Sequence, residues 1–379
     1  MATVKRQDGP RGPRWQVRYR DPQNRQKARN FDRAGDAREF AAKVENDRRA
    51  GSYIDPAGPR TPLVDLVGRY QATAKHGPAT AATRDSDLRN WIVPTLGAHT
   101  RIGRISELEL QHLLDRLNDR LAPATVERVW AWVTGLFAAA MRARLLTDNP
   151  TAGLAPPKAP KPMVSPLEGD QVEAVIACLP AWYRLAGYLA ADAGLRVSET
   201  AGLATGRVGL RQLHSGLLMV ERQLVSLGGI PLHLALPKRG RSRAVPIPES
   251  LGDTIAEHLA RFPRRPAVTD RVSGEEKVEL VLATRYHTPA RRQAIDAAFA
   301  AAVTRAGLPA GTRFHDLRHY YASVLIDAGC SERELGIRLG HSSAEVTARY
   351  GHLFKAADDR TRQAVTNAIQ TRRAASAFN

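Results

Sequence analysis

Two proline-rich joints constrain this chain more than any other feature of its sequence. One spans 55–62 (DPAGPRTP); the other spans 149–166 and carries Pro150, Pro156, Pro157, Pro160, Pro162 and Pro166. Proline lacks an amide donor and drives the residue before it out of helical geometry, so at this density it favours extended linker. The chain is therefore expected to fold as three segments, 1–60, 61–162 and 163–379, of which the first is by far the most charge-dense.

Each segment has its own pattern. In the first, Trp15, Val17 and Tyr19 alternate with Gln16, Arg18 and Arg20, the period of a half-buried strand. A DPQN turn leads to a return strand at 27–31, and 36–50 reads as an amphipathic helix with Phe40 and Val44 inward. This predicts a small sheet packed by one helix, with arginines on its open face. The second segment reads as four helices. Leu63, Leu66, Val67 and Tyr70 mark the first, and the second runs over 80–92, ending near Pro94 and Gly97. Ser106 and Glu109 make a capping box for the third, and the fourth spans 125–145 with Val129, Trp132, Val133, Leu136 and Phe137. The third segment mixes a helix at 181–193, strands at 217–225, 232–236 and 244–247, and mainly helix from 290 onward. That reading is α+β with a small antiparallel sheet at one side.

Charge narrows the partner. Lys and Arg total 56 against 38 Asp and Glu, a net +18. Such an excess favours a polyanion, either nucleic acid or an anionic membrane surface. No run approaches the roughly 18 apolar residues of a spanning helix, and the opening MATVKRQDGP has no apolar core of a secretory signal. Cys178 and Cys330 are too few for a disulfide scaffold and have no zinc-binding spacing. These features point to a soluble protein of a reducing cytoplasm. Arginine supplies 47 of the 56 basic residues, so a lysine stands out wherever charge alone would suffice.

Four motifs of the third segment can carry chemistry. GLRVSE puts Arg196 at the start of a helix, where free amides favour an anion; a structural pair with Glu199 explains it equally well. PKRGRSR is a basic turn of the kind that often only coats a surface. Lys238, however, is one of three lysines in 163–379 and, unlike arginine, can surrender a proton as a general acid. HDLRH puts His315 and Arg318 on one helical face. His315 and His319 also have a zinc-compatible spacing, but Asp316 stands where a metalloprotease needs Glu, so no metal site is expected. LGHSSAEVTARYGH places His341 at an exposed turn after Gly340, caps a new helix with Ser342 and Glu345, and sets Tyr350 two turns along it.

The stretches GLRVSE, PKRGRSR with VPIP after it, HDLRH, LGHSS and TARYGH, in this order, resemble the tyrosine site-specific recombinases of phage-integrase type. The resemblance covers 163–360 well and extends more loosely over 61–162. One departure is Arg239, where many members carry Thr. The resemblance implies a multidomain fold: an arm-type DNA-binding module at 1–60 built as a three-stranded sheet plus helix, an all-α core-binding domain at 61–162, and a mixed α+β catalytic domain at 163–379. It implies Tyr350 as nucleophile, with Arg196, Lys238, His315, Arg318 and His341 as the rest of the catalytic set. Arg14, Arg18, Arg20, Arg239, Arg241 and Arg243 are expected at DNA. Because the phosphotyrosine link keeps the bond energy, neither cofactor, metal nor ATP is called for. The implied partners are double-stranded attachment sites, four protomers on synapsed DNA passing through a Holliday junction, an excisionase and a host DNA-bending protein. The segment after Tyr350 is expected to dock on a neighbouring protomer. The setting is the cytoplasm of a prokaryote, at the nucleoid. Two alternatives stay open: a type IB topoisomerase sharing the chemistry, and a catalytically silent DNA-binding protein.

Overall fold

The computed structural model describes residues 2–9, 12–21, 24–50, 53–54, 56–73, 75–159, 164–205, 216–342, 344, 346–354 and 365–370. The chain divides into two compact units, Met1–Lys161 and Pro162–Asn379. Most of the two joints falls among described residues; Asp55, Pro160, Lys161, Pro162 and Met163 lie outside them.

Within the first unit, β1 (Thr3–Gly9), β2 (Gly12–Arg20) and β3 (Gln26–Phe31) form an antiparallel sheet in that order, followed by α1 (Ala34–Arg49). The alternation in β2 has the expected consequence. Val17 and Tyr19 are buried with Ala37, Ala41, Val44 and Tyr53, while Arg14, Arg18 and Arg20 stand on the solvent face. Tyr19 meets Phe40 edge-on at 5.6 Å between ring centres, which joins sheet to helix.

A second hydrophobic cluster of the same unit gathers α2 (Leu63–Thr73), α4 (Val93–Leu96), α5 (Glu107–Arg120) and α6 (Pro123–Arg142), while α3 (Pro78–Asp87) buries Arg84 and Asp87 instead. The expected capping box of α5 forms: the Glu109 amide donates to the Ser106 hydroxyl, and the Ser106 amide donates to Glu109 at 2.6 Å. The second helical stretch ends near Pro94 and Gly97, as expected, but it is not one regular helix. A wide π turn over Leu88–Ile92 separates α3 from α4, and Pro94 sits in the first turn of α4, where its missing amide costs nothing. The chain stops one turn later, at Gly97 with φ +81°. In α6 the buried tryptophan is Trp130 rather than Trp132. Trp132 is half-buried and donates its indole N–H to Asp87 at 3.0 Å, alongside a two-bond clasp from Arg128.

The second unit opens with α7 (Gly169–Ala177), α8 (Ala181–Ala193) and α9 (Val197–Ala201). The stretch read as one strand over 217–225 is two, β4 (Leu217–Val220) and β5 (Gln223–Val225), which join different sheets. β6 (His233–Ala235) pairs with β5, and β7 (Arg243–Pro246) pairs with β4. After α10 (Glu249–Arg261), β8 (Ala267–Asp270) and β9 (Val278–Glu279) extend the β5–β6 sheet; the sequence reading missed both. The β6–β8 pair is parallel, so the sheet is not wholly antiparallel as expected. Arg222, in the break between β4 and β5, holds buried Asp270 at 2.9 Å, which ties that break to the end of β8.

The unit continues with α11 (Arg292–Arg305), α12 (Phe314–Asp327), α13 (Glu332–Leu339), a helix α14 over 346–354 and, last among the described residues, a helical stretch over 365–370. α12 packs along α8 and buries Phe314, Leu317, Arg318, Tyr321 and Ile326. An arginine on that inward face already marks the helix as more than scaffold.

Candidate active site

The site grows from two helix ends. α8 terminates at Gly194 in the left-handed conformation, φ +65°. A side chain there would bring its Cβ within 2.5 Å of the Tyr321 ring, so the position is restricted by conformation and by space alike. The turn swings Arg196 to the start of α9, and Glu199 reaches back to accept its backbone amide at 2.9 Å and its guanidinium at 2.7 Å. The structural pair allowed by sequence is therefore real, and it is one arm of something larger.

Glu199 is 1% exposed and serves three arginines. Arg243 grips both its oxygens, at 3.1 and 2.8 Å, and Arg318 lies at 3.8 Å. Burial pushes the Glu199 carboxyl up, but Arg243, Arg318 and Arg196 together overturn that and hold it at about 2. The second helix end is that of α13, which stops at Gly340, φ +63°. Its orphan carbonyls are taken by two of the same arginines. Arg243 donates Nε–H to the Arg338 carbonyl at 2.7 Å, and Arg318 donates to the carbonyl of Leu339 as well as to that of Gly194.

Arg318 is 0% exposed. Burial and Arg196 lower its pKa, and Glu199 opposes them. Its Nη2 also donates to Nε2 of His341 at 3.1 Å; an accepting Nε2 leaves the imidazole proton on Nδ1. The Nε of Arg318 is buried and makes no hydrogen bond among the described residues.

Tyr350, on α14, is also 0% exposed. Its hydroxyl meets Nδ1 of His319 at 2.8 Å. Burial raises the phenol above its usual pKa, while Arg318, Arg349 and Arg196 pull the other way. Burial also lowers both histidines of α12. His315 falls to about 3, helped by His319, Arg318, Arg349 and Arg196; His319 falls to about 4, helped by Arg349 and Arg318. Their rings meet edge-on at 4.7 Å, and Nε2 of His315 lies 3.4 Å from Arg349.

Of the expected catalytic set, Arg196, His315, Arg318, His341 and Tyr350 come together. His341 is half-buried rather than on an exposed turn, and Glu345, its expected helix-capping neighbour, lies outside the described residues. Lys238 does not join them. It is exposed in the tight turn Lys238–Gly240 between β6 and β7, where Arg239 and Gly240 both have positive φ. Arg239 in the same turn and Arg241 just after it are exposed. Arg243, expected at DNA, is corrected by its burial at 7%: alternation along β7 turns it inward onto Glu199. Sequence reasoning missed the central place of Glu199 and weighed His319 only as a metal ligand. The available signal was position, since His319 adjoins Arg318 and stands one turn after His315.

The arrangement can receive an anion beside a phenol. Three guanidinium groups are preset around a carboxylate, and the neutral imidazole of His319 meets the hydroxyl. Comparisons with known proteins bear on the family and the fold. The phage integrase family matches residues 166–357. Tyrosine recombinase XerD of Ralstonia nicotianae is 30% identical over 297 residues, covering 77% of this chain and 82% of its own. Among solved structures, the Tn1549 transposon integrase in complex with transposon right end DNA aligns with TM-score 0.67 at 16% identity, over 79% of this chain and 99% of that one. A lambda integrase tetramer bound to a Holliday junction aligns with TM-score 0.59 at 19% identity, over 87% and 91%.

Proposed function

The chain belongs to the phage integrase family of tyrosine recombinases, whose reaction is DNA cleavage and rejoining, and on that premise we propose that it integrates and excises a phage or other mobile element at specific attachment sites. The observation that carries this reading is the meeting of Tyr350 with Arg318, Arg196 and their histidines around Glu199. Tyr350 Oη attacks the scissile phosphorus, the bond to the 5′ oxygen breaks, and the strand is held as a 3′-phosphotyrosine. Negative charge grows on the non-bridging oxygens as phosphorus becomes five-coordinate, and Arg196 and Arg318, preset by Glu199 and the helix carbonyls, stabilise it without reorganising. His315 and His341 complete the hydrogen-bonding shell. Lys238 is the acid for the leaving 5′ oxygen, brought in when its exposed turn closes on DNA.

Residues 1–60 bind arm-type DNA in this proposal, with Arg14, Arg18 and Arg20 on phosphates, and 61–162 grip the core site. The likeness to the lambda integrase tetramer spans 87% of the chain, more than the C-terminal unit alone supplies, and so supports a multi-part DNA grip. That tetramer was seen on a Holliday junction; four protomers on two synapsed sites, with an excisionase and a DNA-bending protein setting direction, extend the reading to this chain. No described helix is long and apolar enough to cross a membrane.

The test is recombination between two plasmids bearing the sequences that flank this chain's gene. A site-specific recombinase joins them only when both sites are present and leaves a site-free supercoiled plasmid unrelaxed. Relaxation of the site-free plasmid without joining would instead identify a topoisomerase.

A further inference from the structure

We propose that His319 is the base that takes the proton of Tyr350. The inference rests on Tyr350 being the nucleophile. Three histidines belong to the site, and they differ in what they touch. His341 has its Nε2 on Arg318, at 3.1 Å, and His315 has its Nε2 facing Arg349, at 3.4 Å. Of the three, it is His319 whose Nδ1 reaches the phenolic oxygen, at 2.8 Å. The other polar neighbour of that oxygen is the Arg349 guanidinium, which has donors and no acceptor. The phenolic proton therefore points at Nδ1, and the proton of the neutral imidazole sits on Nε2.

The proton count closes. As Oη bonds to phosphorus, its proton passes to Nδ1 and His319 becomes imidazolium; the bond to the 5′ oxygen breaks, and that oxygen takes its proton from the acid. In rejoining, a 5′ hydroxyl attacks and gives its proton back to the now deprotonated acid, the phenolate departs, and His319 returns the proton to it. At rest the imidazole is neutral and a weak base, because burial and the charges of Arg349 and Arg318 oppose its protonation. An arriving phosphodiester brings negative charge among those arginines, which strengthens the base only when substrate is present. Since Tyr350 is fully buried, DNA binding must first uncover the side of the hydroxyl away from His319.

The test separates a base from a mere anchor. His319→Asn keeps an acceptor near the position of Nδ1 and cannot take a proton; His319→Ala removes both. Covalent adduct formation is followed on a nicked suicide duplex built from the element's end, with near-UV dichroism and core-site binding as controls of folding. The proposal expects both variants to cleave about 100-fold slower or more, the usual span for general base catalysis. Asn within threefold of wild type would reduce His319 to an anchor, and Ala within threefold would remove it altogether. If neither variant folds, the wild-type rate decides. A rate that rises with pH and levels off below neutrality fits a base facing His315, Arg318, Arg349 and Tyr350. A rate still climbing with phenol ionisation through pH 9 overturns it. Tyr350→Phe runs beside them: a persisting adduct there defeats the nucleophile, whereas its loss there with normal cleavage by His319→Asn defeats only this inference.

Discussion

The N-terminal sheet and the catalytic cluster are both rich in arginine, and they use it in opposite ways. Arg14, Arg18 and Arg20 stand in solvent, with contacts no stronger than those to Asp32, Gln16 and Asn24. Arg318 and Arg243 are buried, and each has a carboxylate, a carbonyl or both to answer its charge. An exposed guanidinium is already hydrated and can trade water for phosphate at little cost. A buried one survives only inside a paired, hydrogen-bonded cage, and there it meets an anion already oriented. On the function proposed, the comparison teaches that exposed charge density suits holding DNA, whereas buried, caged charge suits carrying out its chemistry.

The comparison breaks most severely at Glu199. Glu199→Ala leaves three arginines unanswered and should destabilise the C-terminal unit by about 3–5 kcal/mol, read as a lowered melting temperature. Loss of a single clamp is next. Arg196→Ala and Arg318→Ala should each slow cleavage by roughly 100-fold, about 3 kcal/mol of transition-state stabilisation, and Lys at either place should rescue only in part because the fork is lost. Single-turnover cleavage rates within threefold of wild type would reject the clamp.

Acid probes the same cluster more gently. The unfolded chain protonates its histidines below about pH 6.5, whereas folded His315 and His319 resist until about 3 and about 4. The unfolded state thus binds more protons, and stability falls as pH falls from about 6.5, by up to about 1.4 kcal/mol per pH unit for each group. Glu199, held at about 2, adds to the fall below about pH 4.5. The protection of α12 amides against hydrogen exchange, taken relative to the intrinsic rate at each pH, should fall between pH 6.5 and 4, and less so in His315→Gln.

The smallest effects belong to the exposed arginines. Arg18→Ala and Arg20→Ala should each shift stability by less than about 0.5 kcal/mol. If they meet phosphates, each should also lessen the salt dependence of binding to long attachment DNA by about 0.9 in log–log slope. An unchanged slope would remove them from the DNA face.

How much of this was legible depended on whether a feature is local. The β2 alternation, the α5 capping box and the ends of α8 and α13 at Gly194 and Gly340 follow from short-range rules, and the structure holds them as read. The order of the motifs brought Arg196, His315, Arg318, His341 and Tyr350 to one place. What escaped was long-range. Arg243 looks like its neighbours in PKRGRSR until the register of β7 turns it inward, 44 residues from its partner Glu199. The two short strands β8 and β9 carry no periodicity long enough to detect. His319 acquires its meaning only from Tyr350, 31 residues away.

The most direct measurement is the covalent adduct itself. A nicked suicide duplex carrying the core site, incubated with the full chain and resolved under denaturing conditions, should yield a protein–DNA band with wild type. It should yield none with Tyr350→Phe, although the variant binds the same duplex nearly as tightly, since one buried oxygen and no charge has been removed. An adduct of undiminished yield from Tyr350→Phe would contradict the assignment of the nucleophile and, with it, the reading of the arginine cage built around it.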